Sequence, residues 1–518
     1  MSKQSGTSNF LFEGSDWNFD TLSRVYDAIE KVALEDLKLD VYRNQMEIIS
    51  SEQMLDAYSS IGMPLMYQHW SFGKRFVFEE HAYRKGHRGL AYELVINSNP
   101  CITYLMEENT MAMQALVTAH AAFGHNHFFK NNYLFRQWTD ASAILGYMEF
   151  AKRYIAKCEE RYGTAAVEAI LDSAHALMEQ GVFRYRRPPR LSTEKERERA
   201  RERLEYEEQT FNDLWRTLPQ VNDNNDNHAR DADDPKDSSE RRRSLKLPEE
   251  NLLYFLEKNS LILEPWQREI LRIVRVVAQY FYPQRQTKVM NEGCATFVHY
   301  FIMNRLYDQD MITEGAMLEI LQSHSNVVFQ PAFDDPRFPG INPYALGFAL
   351  MQEIQRICED PTSEDRDWFP QIAGSGNWRE TLLDAWANHR DESFILQYLS
   401  PNLMRKFRLF LLTDQARNDY LEVASIHNER GYERIRQALS RRYDIGTNQI
   451  DIQVVDVDLL GDRHLRLQHN VKNGIVLEEG NRDATLRHVR HLWGYNVSMT
   501  GIDAETGAKL YECSSSGD

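Results

Sequence analysis

The sequence predicts a mainly α protein with a small C-terminal α+β module, its helical body interrupted by a charged, disordered linker. Three observations carry that prediction. Apolar residues recur at three- and four-residue steps through most of the chain, charge and Asn/Asp runs take over abruptly after residue 187, and two-residue alternation begins only near residue 450. The 518 residues correspond to about three to four domains at roughly 150 residues each.

Residues 17–186 read as an N-terminal helical domain. Between Phe19 and Leu39, the residues Leu22, Val25, Tyr26, Ile29, Val32 and Ala33 share one face of a helix. A second helix is expected from about Leu105 to Ala122, with Gly124 as its stop, because glycine adopts the left-handed C′ conformation cheaply. Residues 187–247 hold Pro188-Pro189, a Glu/Arg/Lys run from Glu194, an Asn/Asp run from Asn222 and Arg241-Arg242-Arg243. Such a segment has little to bury and reads as linker. Residues 248–400 return to aromatic-rich helices and complete the body. Residues 401–510 read as a separate ββαβ module. Ile450, Ile452 and Val454 alternate in one strand and Leu465 and Leu467 in a second, Asn473-Gly474 turns into Ile475-Val476-Leu477, a helix runs from Asp483 to Trp493 and ends at Gly494, and Tyr495 to Met499 closes the module as a strand.

Composition excludes several classes. With 77 acidic and 60 basic side chains the net charge is −17, which opposes wrapping of nucleic acid or docking on an anionic membrane. No apolar run reaches the roughly 18 residues that span a bilayer, and no secretory signal opens the chain. The five cysteines are scattered and lack CxxC spacing, the pattern of reduced thiols in a cytoplasmic protein. There is no phosphate-binding GxxxxGK[ST] loop, no GxSxG elbow and no strand-borne GxGxxG. Cys294 lies in an apolar helix, which raises a thiol pKa and suits packing better than nucleophilic attack.

Histidine is unevenly spread. Six of sixteen (His69, His81, His87, His120, His125 and His127) fall between residues 69 and 127. His120 and His125 flank Gly124, and two neutral imidazoles there would suit Zn, Mn or Fe. On a continuous α-helix, positions i and i+5 stand about 140° apart, so a break at Gly124 must re-aim His125. Capping and core packing also account for such histidines.

Glu292 and His299, seven residues apart, share a helix face to within about 20°. The small residues Gly293, Cys294 and Ala295 between them admit close approach of a helix or ligand. Glu292 joining His120 and His125 would complete a two-His, one-carboxylate set, the open arrangement of catalytic Zn or non-haem Fe. A tightly packed helix pair with a salt-bridged Glu292 is the other reading. Glu93 lies in an apolar stretch and must be paired, protonated or liganded, which makes it a candidate ligand or general base. Glu108, with Glu107, opens the helix leading to His120, where either dipole capping or base chemistry fits. His127, His299 and Asn109 complete the residues expected to line the site.

Long blocks of the chain resemble the SpoVR (stage V sporulation protein R-like) family. They are Ser50-Ser51-Glu52-Gln53-Met54-Leu55-Asp56-Ala57-Tyr58, Met63-Pro64 through His69-Trp70-Ser71-Phe72-Gly73-Lys74, Asn97-Ser98-Asn99-Pro100, Met106-Glu107-Glu108-Asn109-Thr110, Ala119-His120 through Asn132, and Met290-Asn291-Glu292-Gly293. The resemblance runs over roughly residues 17–505, with Cys294 where the family usually has Trp, and the charged insertion resembles the longer, non-sporulating proteobacterial branch. It implies links to spore-cortex (peptidoglycan) assembly in the founding members. It also implies a stress-response complex with a PrkA-like serine kinase and a von Willebrand A-like protein as partners.

A second, shorter likeness is to zinc carboxypeptidase-type proteins carrying HExxxGH and EGWA, with Ala121 standing where their catalytic Glu follows the first His. Glu108 or Glu93 would then have to supply the base. The expectation is a metal-dependent, hydrolase-like protein acting on amide or peptide-type bonds, with a non-catalytic adaptor as the competing reading.

Overall fold

The computed structural model describes residues 9–59, 63, 66–71, 74, 93–184, 245, 247–413, 422–425, 428–459 and 461–515. The expected linker at 187–247 lies almost entirely outside them, as do His81 and His87. The protein is mostly helical with a small C-terminal sheet module. Among the described residues no helix is long and apolar enough to cross a membrane. The chain divides into two compact units, residues 1–164 with 280–447 and residues 165–279 with 448–518.

The first unit is built on one large apolar core. Helix α1 (Phe19–Lys31) starts at an Asn18–Thr21 capping box and buries Leu22, Val25 and Ile29. A three-stranded sheet follows, with β1 (Asn44–Ile49) parallel to the central strand β3 (Cys101–Met106) and β2 (Glu93–Ile96) antiparallel to it. Cross-strand pairing sets Glu93 opposite Leu105.

This sheet corrects the helix expected from Leu105. Cys101-Ile102-Thr103-Tyr104-Leu105-Met106 is rich in β-branched and aromatic residues and is covered at five of its six positions, so strand pairing wins there. The helix begins instead at Met111. Thr110 caps it, accepting from the Met113 N–H through Oγ1 and donating to Glu319 Oε1 at 2.5 Å.

Gly124 is not a stop either. Helix α2 (Met111–Thr118) passes into a π-helical segment, Ala119–His125, and on into α3 (Asn126–Asn131). Gly124 is needed for close approach, since a Cβ there would lie 2.5 Å from Ala295 Cα.

The long helix α4 (Lys288–Asp308) buries most of its length and packs against that π segment and α6 (Pro343–Glu359). A Cβ on Gly293 would lie 2.6 Å from the Gly347 Cα of α6, so the small residues expected to admit a helix do so. Helix α5 (Glu314–Val327) packs on α2 and α4. Asp391, at the start of α7 (Asp391–Tyr398), accepts from the N–H groups of Val289 (2.8 Å) and Met290 (2.9 Å) and so caps α4 from another element. Strands β4 (Leu411–Thr413) and β5 (Glu422–Ser425) pair antiparallel, and α8 (Glu429–Tyr443) packs on α7. Residues 401–447 are thus part of the helical body.

The second unit carries a four-stranded sheet in the order β6 (Ile452–Val457), β7 (Leu465–Val471), β8 (Val497–Asp503) and β9 (Lys509–Ser515), with β7 parallel to β8 and the other pairs antiparallel. The helix Glu479–Trp493 supplies the crossover that parallel neighbours require. It ends at Gly494 with φ 87°, the left-handed cap expected there. Asn473 and Gly474 form their turn at positive φ, but 475–477 lead into the helix rather than forming a strand.

Candidate metal centre

The site begins with the π segment. An i→i+5 hydrogen-bond ladder inserts one more residue per turn than the α-helix, and such bulges recur at functional sites. Here it reduces the angular mismatch between His120 and His125. Their ring centroids lie 4.7 Å apart, edge to face. The re-aiming assigned to a glycine break is done by the helix itself.

Each imidazole has a partner on its Nδ1. His125 Nδ1–H donates to Asn291 Oδ1 of α4 at 3.0 Å, and its Nε2 lies 3.6 Å from Glu292 Oε2. His120 Nδ1 stands 2.9 Å from His299 Nδ1, and its Nε2 lies 3.7 Å from Glu93 Oε1.

Glu93, His120 and His125 each offer a ligand atom within 4.8 Å of the other two. Zn–N and Zn–O bonds of about 2.0–2.2 Å place tetrahedral ligand atoms roughly 3.4 Å apart, so modest closure of the side chains would suit an ion. Strand β2, the π segment and α4 therefore bring together two imidazoles and two carboxylates.

The electrostatics favour a cation. Burial pushes Glu93 up to about 8, and the Glu292 charge pushes in the same direction. Glu292 Oε2 is buried with no hydrogen-bond partner among the described residues, a costly arrangement for a carboxylate oxygen. His120 is held well below the ordinary imidazole value by burial and then by His125, His299 and His324, so it is neutral and able to ligate.

The other expected residues fall as follows. His299 is buried beside His120 and joins the cluster from behind. Glu108 is exposed in the turn after β3, where Oε1 accepts from the Ser51 N–H at 3.2 Å. It caps the helix Ser51–Ser59 and is not in the cluster. Asn109 is buried in the same turn. His127 faces elsewhere. Its Nδ1 accepts from the Asp40 N–H at 2.9 Å and the Asn131 amide at 3.1 Å, its ring meets Trp386, and burial lowers it to about 4. Cys294 is fully buried, which raises its thiol well above the ordinary value, so it packs. His69 is buried against Ser71.

His324 of α5 escaped sequence reasoning. It stands 2.9 Å from His299 Nε2. A lone histidine on a helix carries no spacing signal, so nothing in the sequence could have singled it out.

The model of the family described as SpoVR like protein matches residues 16–448, and that of the SpoVR-like C-terminal domain matches residues 450–504. The chain belongs to the SpoVR family. It is 54% identical over 502 residues to the uncharacterized protein YcgB of Escherichia coli (strain K12), which covers 97% of this chain and 96% of that protein. No solved structure matches. The boundary between the two SpoVR segments falls where the second compact unit resumes, at Asn448. The whole His/Glu cluster lies in the larger SpoVR segment.

Proposed function

We propose that this SpoVR protein is a metal-dependent hydrolase acting on amide or peptide-type bonds, with His120, His125 and Glu93 holding a divalent Zn, Mn or Fe ion. The observation that supports it best is the convergence of two buried imidazoles and a carboxylate whose proton affinity is raised, beside a second carboxylate whose Oε2 has no hydrogen-bond partner among the described residues. Two histidines and a carboxylate form the ligand set that leaves a position open for water, and such an ion lowers the pKa of that water towards neutrality.

Glu292, expected from the sequence as the third ligand, is then the acid–base group beside the ion, within reach of His125. Amides of cell-wall material are the substrates to try first, following the family's link to cortex peptidoglycan.

The fourth donor favours one competing reading. If Glu292 also ligates, the set is closed and the ion structural, as in an adaptor working with a PrkA-like serine kinase and a von Willebrand A-like protein. Elemental analysis of the purified protein beside His120→Ala and Glu292→Gln decides between them. Near-stoichiometric metal in the wild type, lost in His120→Ala and kept in Glu292→Gln with loss of amide hydrolysis, supports the enzyme. Metal lost in both, with a lowered melting temperature, supports the adaptor. No metal in the reconstituted wild type overturns both.

A further inference from the structure

Three imidazoles from three separate elements form one hydrogen-bonded line: His120 of the π segment, His299 of α4 and His324 of α5. Nδ1 of His120 is 2.9 Å from Nδ1 of His299, and Nε2 of His299 is 2.9 Å from Nδ1 of His324. All three rings are buried, and His324 is held between Tyr300 and Phe348 at 4.9 and 4.7 Å. We propose that His299 and His324 are positioning residues whose proton order is coupled to that of His120, so that the three rings together set whether His120 Nε2 is a ligand. The inference rests on the metal centre proposed above.

A neutral imidazole has one N–H donor and one acceptor nitrogen. Each 2.9 Å contact holds a single proton, so the line has only two self-consistent orders. In the first, His120 Nδ1–H donates to His299, His299 Nε2–H donates to His324, and His120 Nε2 presents a lone pair towards Glu93. In the second every bond is reversed, and His120 Nε2 carries a proton that blocks ligation.

Both contacts are ring nitrogen to ring nitrogen at 2.9 Å between buried rings, so in each one nitrogen must donate and the other accept. The two ligand imidazoles are therefore supported differently. His125 faces an amide oxygen, which only accepts, whereas His120 faces both a ring that can donate or accept and the Ala295 backbone. Such outer partners commonly change metal affinity by about 10–100-fold.

The test uses the full chain with 15N-labelled histidine, Zn2+ calorimetry and melting curves, on wild type, His299→Phe, His299→Gln and His324→Phe. His299→Phe is expected to weaken Zn2+ binding by about 10–100-fold at a similar melting temperature. His299→Gln, which keeps one donor and one acceptor, should recover most of that loss, and His324→Phe should cost about tenfold or less. In the wild type, Zn2+ should convert His120 to the Nδ1–H form and His299 to the Nε2–H form together, a nitrogen-shift signature that packing alone does not produce. Unchanged Zn2+ affinity in a folded His299→Phe, or a His299 that keeps Nδ1–H with Zn2+ bound, overturns the inference while leaving the metal centre standing. A wild type that binds no Zn, Mn or Fe removes the metal centre, and the ligand role of His120 with it.

Discussion

Both compact units bury carboxylates, and they treat them in opposite ways. In the second unit Glu257 is almost fully buried and meets Arg275 and Lys258 at 3.0 Å and Arg272 at 3.3 Å. Burial alone would raise its pKa, but Arg275, Lys258 and Arg272 together outweigh it, and the net shift is downward. Asp451 behaves likewise, with Lys472 at 3.0 Å and Arg184 at 3.9 Å.

In the first unit Glu93 lies beside His120, and burial and then the Glu292 charge move its pKa up. The contrast is local, because Glu353 in that same unit is matched by Arg356 at 2.8 Å and also moves down. Glu257, Asp451 and Glu353 each have a cationic side chain of the protein beside them, whereas the buried Asp391 is held by backbone N–H groups. Glu93, His120 and His125 instead bring together a donor set that suits a metal ion.

The sharpest way to break the comparison is Glu257→Ala. Removing the acid leaves Arg275 and Lys258, both partly covered, without their counter-ion, and breaking such a pair costs up to about 3–5 kcal/mol, less for the share still open to solvent. The melting transition of the second unit should fall accordingly. A loss under 1 kcal/mol would show that the cation cluster is solvated, and the distinction between the two sites would lose its basis.

Glu93 should respond in the opposite sense. Burial pushes its carboxyl up to about 8 in the folded, metal-free protein, against an ordinary value of about 4.3 for an exposed glutamate, so the folded state holds the proton more tightly than the unfolded chain. Stability from this group is therefore complete below about pH 4.5 and declines as pH rises towards 8, then levels off. At about 1.4 kcal/mol per pH unit, discounted for the 19% of the side chain still open to solvent, the decline amounts to roughly 2–4 kcal/mol. Denaturation of metal-free protein between pH 5 and 8 should show it, and Glu93→Gln should flatten it. A stability that rises over this range in the wild type and not in Glu93→Gln would mean that a cationic partner already holds the carboxylate.

Much of this was legible in the sequence, for identifiable reasons. The apolar face of α1, the small residues facing Gly347, the Gly494 cap and the candidate residues His120, His125, Glu292 and Glu93 all follow from residue type and spacing. The π segment does not, because periodicity arguments assume 3.6 residues per turn. For that reason His120 and His125 looked misaligned when the backbone had aligned them. Strand β3 was missed because its apolar run joins directly onto a helical one, and Thr110 marks the boundary only once its side-chain cap is seen. His324 depends on tertiary packing alone.

The close approach of α4 and α6 allows a smaller test. Gly293→Ala places a methyl 2.6 Å from backbone atoms of α6 that cannot rotate away, so the helices must separate. Overpacking of this kind costs about 1–3 kcal/mol. Because α4 carries Asn291, Glu292 and His299 towards the π segment, metal affinity should fall with stability. If the variant melts lower yet binds metal normally, the site does not depend on that helix spacing.

The smallest effect belongs to Glu108, the residue whose sequence setting and structural setting differ most. Beside a helix leading to His120 it suggested a base, yet its carboxylate is exposed and accepts from the Ser51 N–H at 3.2 Å. A carboxylate at a helix N-terminus contributes about 0.3–1 kcal/mol through the dipole and the capped N–H. Glu108→Ala should therefore lower stability by no more than about 1 kcal/mol and leave metal content and any amide hydrolysis unchanged, whereas Glu292→Gln should abolish hydrolysis with stability largely intact. Activity lost in Glu108→Ala at full metal occupancy would require the turn after β3 to close on the site during turnover, and the base would have to be reassigned.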